Sequence, residues 1–130
     1  MIQDTSFIVD VLRGEQGALN RLEDIEARNV PEKVAAITVL ELHEGIARSA
    51  HPEDERQAVF EILASKAIVA ADHDIMAKAG RLSGHLFEAG TPIDREDCVV
   101  AATALAEDEP VLTGNAAHFE RVPDLDVVSY

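Results

Sequence analysis

Four polar side chains occupy equivalent places in the sequence, each directly after a short apolar run or in the first turn of a helix. They are Asp4, Glu41, Asp97 and Asn115. Their oxygens are hard ligands, and the absence of histidine and cysteine among them favours Mg²⁺ or Mn²⁺ as the bound ion. If the fold brings the four side chains together, the pattern predicts a divalent-metal site.

Each of these acids also has a local structural explanation. Asp4 lies where a helix N-cap is expected, Thr38-x-x-Glu41 fits a capping box, and Asp94-x-x-Asp97 resembles one. Taken singly, each acid is explained as part of a helix start. Only their convergence on one crevice favours chemistry, so both interpretations stay open at this point.

Other kinds of site have weaker support. No histidine lies at a metal-binding spacing from another histidine or from Cys98. The chain contains no glycine-rich phosphate loop, no serine nucleophile elbow and no catalytic cysteine signature. These absences exclude a Walker-type nucleotide site.

The elements that must position the four side chains follow from short apolar runs and helical spacing. Strands are expected immediately before Asp4 and at residues 34–37, 67–70, 111–113 and 127–128. Helices are expected at residues 5–13, 18–28, 38–50, 52–65, 72–89, 94–107 and 115–119. This alternation favours the α/β class, with a parallel sheet covered by helices on both faces. Such sheets place their ligands at the carboxyl ends of the strands, where Asp4 is expected.

Length and composition indicate one domain with an ordinary core. The chain has 130 residues, 47% of them apolar, and its single cysteine cannot form an internal disulfide. No stretch is long enough to span a bilayer, and Met1 leads directly into the fold without a charged leader. We therefore expect a cytoplasmic protein with no membrane contact.

The charge balance is strongly acidic. Aspartate and glutamate number 25 against 11 lysines and arginines, only three of which are lysines, and the formal net charge is −14. Such a surface repels polyanions, and two explanations for it compete: avoidance of polyanions, or adaptation to a salt concentration that screens the charges. The low lysine content together with high Asp and Glu favours a salt-adapted, halophilic composition.

Four short motifs follow one another along the chain. They are Asp4-Thr5-Ser6; Thr38-Val39-Leu40-Glu41-Leu42 followed by Gly45-Ile46; Ile93-x-x-x-Asp97-x-x-Val100-Ala101-Ala102-Thr103-Ala104-Leu105; and Leu112-Thr113-Gly114-Asn115-x-x-His118-Phe119. In this order and spacing they resemble the PIN-domain ribonucleases, specifically the VapC-type toxins of type II toxin-antitoxin modules. The resemblance covers residues 1–130 as a single PIN domain.

The resemblance implies a fold, an activity and partners. It implies a three-layer α/β/α architecture whose central parallel sheet has the strand order 3-2-1-4-5. It also implies a Mg²⁺-dependent endoribonuclease that hydrolyses RNA, in which Mn²⁺ can substitute. Its expected partners are a second copy in a homodimer and a VapB-type antitoxin that covers the site, for which we expect a cationic side chain, arginine above all.

The resemblance also implies roles for individual residues. Asp4, Glu41 and Asp97 correspond to the acidic set that holds the metal, and Asn115 takes a fourth position where many members have aspartate. Because an asparagine coordinates only through a neutral oxygen, a second metal should bind more weakly. Three hydroxyls are expected to support the carboxylates or the phosphate, unless they are only cap or turn residues: Thr5, Ser6 and Thr113.

Two other functions remain as alternatives. A catalytically inactive PIN fold retained as a protein-binding module would account for the acidic surface and for Asn115. A phosphoacceptor signalling domain also has an acidic pocket and a threonine such as Thr113 after a late strand. That class needs a lysine after the last strand, whereas the lysines of this chain end at Lys78.

Overall fold

In the computed structural model, which describes residues 1–130, five short strands and seven helices alternate along the chain. The strands are β1 (Ile2–Gln3), β2 (Lys33–Ala35), β3 (Ala67–Val69), β4 (Val111–Leu112) and β5 (Val127–Val128). The helices are α1 (Thr5–Leu12), α2 (Gln16–Ala27), α3 (Ala36–Ala47), α4 (Pro52–Leu63), α5 (His73–Glu88), α6 (Arg95–Glu107) and α7 (Ala116–Phe119).

The strands form one parallel sheet in the order β3-β2-β1-β4-β5. Strand β1 is central, and Ile2 lies opposite Lys33 on one side and Val111 on the other. The predicted three-layer α/β/α fold and its strand order are therefore confirmed. The central place of β1 puts Asp4, the next residue, in the middle of the carboxyl edge of the sheet.

Helices cover both faces of the sheet because successive strand residues point to opposite sides. Val34 and Leu112 belong to the core cluster built with α1 to α4. Ala35 and Val111, their neighbours in sequence, belong to the cluster built with α5, α6 and α7. The carboxyl edge is thus supported from two sides by separate apolar cores.

Helix α6 is the most deeply buried helix, as its small apolar residues predict. All seven residues from Cys98 to Ala104 are buried. The hydroxyl of Thr103 donates a hydrogen bond to the carbonyl of Val99 at 2.7 Å, so the polar atom is satisfied inside the core. A rigid, buried helix is a firm base for Asp97 in its first turn.

The predicted start of α3 is wrong. The apolar residues 34–37 do not all form strand: β2 ends at Ala35 and α3 begins at Ala36, two residues before Thr38. A short apolar run fits a buried helical turn as well as a strand, so periodicity alone does not separate them. Thr38 is fully buried inside the first turn. Thr38-x-x-Glu41 is therefore not a capping box.

Other element ends differ from the prediction by one to three residues. Strands β3 and β4 end at Val69 and Leu112, and α4 ends at Leu63. Helix stops at Gly14 and Asn29 are confirmed, because both adopt the left-handed backbone conformation with φ of 75° and 52°. None of the helices combines the length and the apolar character needed to cross a membrane.

Candidate active site

A cavity of about 390 Å³ lies at the carboxyl edge of the sheet, and all four predicted site residues line it. We call it the acidic cavity because five carboxylates line it, against one arginine and one histidine. The lining carboxylates are Asp4, Asp10, Glu41, Asp94 and Asp97. The structure thus brings Asp4, Glu41, Asp97 and Asn115 together, and their catalytic roles stay predictions.

Asp4 is held in place through one of its two carboxylate oxygens. Its Oδ2 atom accepts hydrogen bonds from the hydroxyls of Ser6 at 2.7 Å and Thr113 at 2.9 Å. Asp4 occupies the N-cap position of α1, as predicted, but its side chain makes no capping hydrogen bond. The residue is 3% exposed and lines the acidic cavity, and Oδ1 accepts no hydrogen bond from the protein.

The two hydroxyls that bind Asp4 are themselves oriented by backbone amides. The N–H of Gly114 donates to Ser6 Oγ at 3.0 Å, and the N–H of Asn115 donates to Thr113 Oγ1 at 2.9 Å. Because each hydroxyl oxygen already accepts from an amide, its own proton is directed to Asp4. This network fixes Asp4 before any ligand binds.

Glu41 lies in the second turn of α3 and is oriented by Thr5. The Thr5 hydroxyl donates to Glu41 Oε1 at 2.8 Å, and the same hydroxyl oxygen lies 3.1 Å from Thr38 Oγ1. Burial raises the pKa of the Glu41 carboxyl, the hydrogen bond from Thr5 opposes this, and repulsion from Asp4 and Asp97 raises it further. All three predicted supporting hydroxyls therefore contact a site carboxylate.

Asp97 has the most perturbed carboxyl of the acidic cavity. Burial, followed by repulsion from Asp4 and Asp94, raises its pKa to about 6, although His118 partly opposes the shift. Asp97 Oδ2 lies 3.6 Å from Nδ1 of His118. Asp94 forms no side-chain cap to α6, so the interpretation of Asp94 and Asp97 as a capping pair is wrong.

Asn115 occupies the N-cap position of α7 but does not cap it through its side chain. The residue is exposed and its side chain forms no hydrogen bond, while its backbone N–H belongs to the network around Asp4. The proposed local reason for an asparagine here, a cap on the short helix, is therefore wrong. The side-chain amide remains available at the wall of the acidic cavity.

Four charged or titratable cavity residues were not predicted as site residues from the sequence: Asp10, Arg13, Asp94 and His118. Their spacing carried a usable signal. Asp10 is four residues after Ser6 on the same face of α1, and His118 is three residues after Asn115, in the short helix that Asn115 opens. The sequence gives His118 no metal-binding partner at a suitable spacing, and only the fold brings it to Asp97.

The donor set of the acidic cavity fits a hard divalent ion, although it is not a closed cage. No three carboxylate, imidazole or thiolate groups lie close enough together to hold a metal ion by themselves. Mg²⁺ commonly binds through one or two carboxylates and keeps several waters, so a complete protein cage is not required. Asp4 Oδ1 accepts no protein hydrogen bond, so it is available to a cation. The raised pKa values of Glu41 and Asp97 indicate repulsion among carboxylates, which a bound cation would reduce.

Known sequences similar to this chain are ribonucleases of one family. The PIN domain family model matches residues 1–125. Ribonuclease VapC19 of Mycobacterium tuberculosis is 33% identical over 124 residues, which cover 94% of this chain and 94% of that protein. Ribonuclease VapC1 of Methanocaldococcus jannaschii is 28% identical over 130 residues, which cover 100% of this chain and 86% of that protein.

Solved structures show the same fold. VapBC2 from Rickettsia felis, bound to a DNA fragment from its promoter, matches with a TM-score of 0.89 and 24% identity over 99% of this chain and 97% of that one. DNA-bound VapBC from Salmonella typhimurium matches with a TM-score of 0.87 and 22% identity over 98% and 96% of the two chains. Because the family match spans almost the whole sequence and the sheet order is the one expected, this chain belongs to the PIN domain family, among its VapC-type proteins.

Proposed function

We propose that the protein is a Mg²⁺-dependent endoribonuclease and the toxin of a toxin-antitoxin pair. One observation carries the proposal: Asp4 is fixed through Oδ2 by Ser6 and Thr113, in a cavity that it shares with Glu41 and Asp97. The other oxygen, Oδ1, accepts no protein hydrogen bond and is therefore available to a cation in that cavity. The ribonuclease names of the similar VapC proteins support the choice of RNA as substrate.

In the proposed reaction, Asp4, Asp97 and Glu41 would hold the ion, and Asn115 would supply a neutral oxygen. A bound divalent ion supplies water activation and charge neutralisation at the phosphate. Ser6 and Thr113 hold Asp4, and Thr5 holds Glu41, so the carboxylates do not reorganise when substrate arrives. RNA hydrolysis by this route needs no covalent protein nucleophile.

The test is RNA cleavage by the purified protein at high salt, with and without Mg²⁺ or Mn²⁺. Asp4→Asn and Asp97→Asn should each abolish cleavage while the protein stays folded, because each removes a charged ligand. Asp124→Asn is the matched control, since Asp124 is exposed and its φ of 64° is one that asparagine tolerates. Metal-independent cleavage, or full activity of Asp4→Asn, would refute the proposal.

The two alternative functions differ in how the structure bears on them. No lysine lines the acidic cavity, which speaks against a phosphoacceptor domain. An inactive PIN-fold binding module predicts that the protein binds its partner but neither binds Mg²⁺ nor cuts RNA. Metal titration by calorimetry, run beside the cleavage assay, separates that module from the nuclease.

The proposed partner of the acidic cavity is a VapB-type antitoxin that inserts an arginine. Five lining carboxylates against a single arginine make the cavity a strong acceptor for a guanidinium, which can bind a carboxylate through two hydrogen bonds. The similar folds seen in VapBC complexes support such a partner. A co-purified antitoxin should inhibit cleavage, and replacing its inserted arginine with alanine should restore cleavage.

A homodimer in the cytoplasm completes the proposal. Light scattering at high salt should give twice the mass of the 130-residue chain. A monomer at micromolar concentration would remove the dimer from the proposal and leave the nuclease untouched.

A further inference from the structure

Arg13 is the only lysine or arginine that lines the acidic cavity. It is the first residue after α1, it is exposed, and its guanidinium makes no ion pair and no hydrogen bond in the structure. A chain with 25 acidic residues offers such a group many partners. Arg13 nevertheless presents an unpaired guanidinium at the wall of the acidic cavity.

Three of the eight arginines pair with a carboxylate on their own helix. Arg28 pairs with Asp24 and Arg48 with Glu44 at a spacing of four residues, and Arg56 pairs with Glu53 at three. These contacts are the ones expected of neighbouring charges on one helix face. Arg13 has Asp10 at the same spacing of three residues without pairing.

The carboxylate of Asp10 contacts a different residue, at the end of the chain. The hydroxyl of Tyr130 donates to Asp10 Oδ2 at 2.5 Å. Tyr130 is fixed in turn by packing edge-on against Phe7, with ring centroids 5.1 Å apart. Tyr130 thus holds Asp10 Oδ2, and the guanidinium of Arg13 stands unpaired at the cavity wall.

We propose that Arg13 binds a phosphate of the RNA substrate; this inference rests on the proposed function. An RNA strand that enters the acidic cavity is repelled by its carboxylates, and an available guanidinium offers a charged, two-pronged contact to phosphate oxygens. Arg13 is the one permanent cation in a position to make that contact.

The phosphate that Arg13 binds is one that flanks the cleaved bond. Arg13 lines both the acidic cavity and a neighbouring groove of about 400 Å³ between α1, α3 and α4, so it lies where the two meet. A contact at that border holds the strand equally before and during bond cleavage. Its loss should therefore raise KM and leave kcat nearly unchanged.

The experiment compares Arg13→Gln with Arg81→Gln in steady-state RNA cleavage across a salt series. Both changes take the net charge from −14 to −15, and Arg81 is exposed, makes no ion pair and lies outside the acidic cavity. For Arg13→Gln we expect KM to rise about 10-fold, the loss of one charge-assisted contact. The slope of log(kcat/KM) against log salt should also become shallower by about 0.7, one phosphate contact on a single strand.

A third variant and the wild type make the outcomes distinct. Arg13→Lys keeps the charge, so it should keep the wild-type salt slope with a KM between those of wild type and Arg13→Gln. The role of Arg13 would be overturned if Arg13→Gln had the same KM and salt slope as Arg81→Gln, or if it lowered kcat without changing KM. In either case the cleavage of RNA by the wild type would still support the proposed function. Failure of the wild type to cut RNA under any metal condition would instead overturn the proposed function itself.

Discussion

At the scale of the residue, the carboxylates of the acidic cavity repel one another. Asp97 and Glu41 both have a raised pKa, caused first by burial and then by neighbouring carboxylates, with Asp4 acting on both. Each group is therefore less stable in its ionised form inside the folded protein than in the unfolded chain. A bound cation would relieve this repulsion, so folding, proton binding and metal binding should be linked.

The first prediction concerns pH. Because the folded protein holds the Asp97 proton more tightly than the unfolded chain, the stability from this group is present at pH 4 and below, and is lost as pH rises through about 6. Between pH 4 and pH 8, the free energy of unfolding of the metal-free protein, measured in denaturant melts, should fall by on the order of 2 kcal/mol less for Asp97→Asn than for wild type. If wild type and Asp97→Asn lost stability equally as pH rises, the raised pKa of Asp97 would be contradicted.

The second prediction concerns Asn115. Asn115→Asp adds a fourth carboxylate to the cavity wall, so it should tighten Mn²⁺ binding and lower the melting temperature of the metal-free protein, with cleavage equal or faster. Asn115→Ala should cost little stability, because the side chain caps nothing. Calorimetric titration and metal-free melts test both variants. A loss of about 1 kcal/mol in Asn115→Ala would restore the helix-cap interpretation.

At the scale of the element, the loop between β4 and α7 connects the site to the end of the chain. Its Gly114 donates to Ser6 through the backbone, and a Cβ atom at this position would lie 2.7 Å from the hydroxyl of Tyr130. Tyr130, two residues after β5, thus contacts both Asp10 and the loop whose backbone helps to hold Asp4. The carboxyl-terminal segment and the β4 loop form one support for the acidic cavity.

The third prediction tests that support. Gly114→Ala should destabilise the protein by about 1–3 kcal/mol, because the new methyl group displaces the Tyr130 hydroxyl. Steric conflict is the reason, since Gly114 does not have a positive φ. The same substitution in a Tyr130→Phe background should cost less, because the clashing oxygen is gone. Denaturant melts of wild type, the two single variants and the double variant measure this. If the two losses of stability simply added, residue 114 and the Tyr130 hydroxyl would not be in conflict.

At the scale of the whole molecule, the basic residues are too few to neutralise the acidic ones, which leaves a net charge of −14. Lys33 pairs with Glu107 and Glu109, and Lys66 pairs with Glu32 in a nearly buried bridge. Two of the three lysines are thus already engaged, and the remaining acidic surface has few cations to offset it. Repulsion among the exposed carboxylates therefore acts against the compact state at low ionic strength.

The fourth prediction is a stability that depends on salt. Between about 0.1 M and 1 M KCl the Debye length falls from about 10 Å to about 3 Å, so the melting temperature should rise by roughly 5–10 °C. The exposed ion pairs lost to screening contribute only about 0.3–0.5 kcal/mol each and do not reverse this trend. A Glu23→Gln, Glu26→Gln variant of α2 should show a smaller rise. The explanation by charge repulsion would be wrong if the melting temperature of the wild type did not depend on salt. It would also be wrong if the wild type and the double variant gained equally from salt.

The sequence by itself determined the alternation of strands and helices, the buried nature of α6 and the convergence of the four polar side chains. These features depend on local spacing and on one general rule: parallel strands end at the same edge of a sheet. It did not determine the start of α3, because the apolar residues 34–37 satisfy a strand and a buried helical turn equally well.

Only the tertiary structure decided what each polar side chain does. Thr113 and Asp4 are 109 residues apart in sequence, and Tyr130 and Asp10 are 120 apart, so no local pattern relates them. Their hydrogen bonds exist because the sheet places β4 beside β1 and β5 beside β4. That arrangement holds the Asp4 carboxylate at the wall of the acidic cavity and binds Asp10 to Tyr130, because the fold decides which distant groups come into contact.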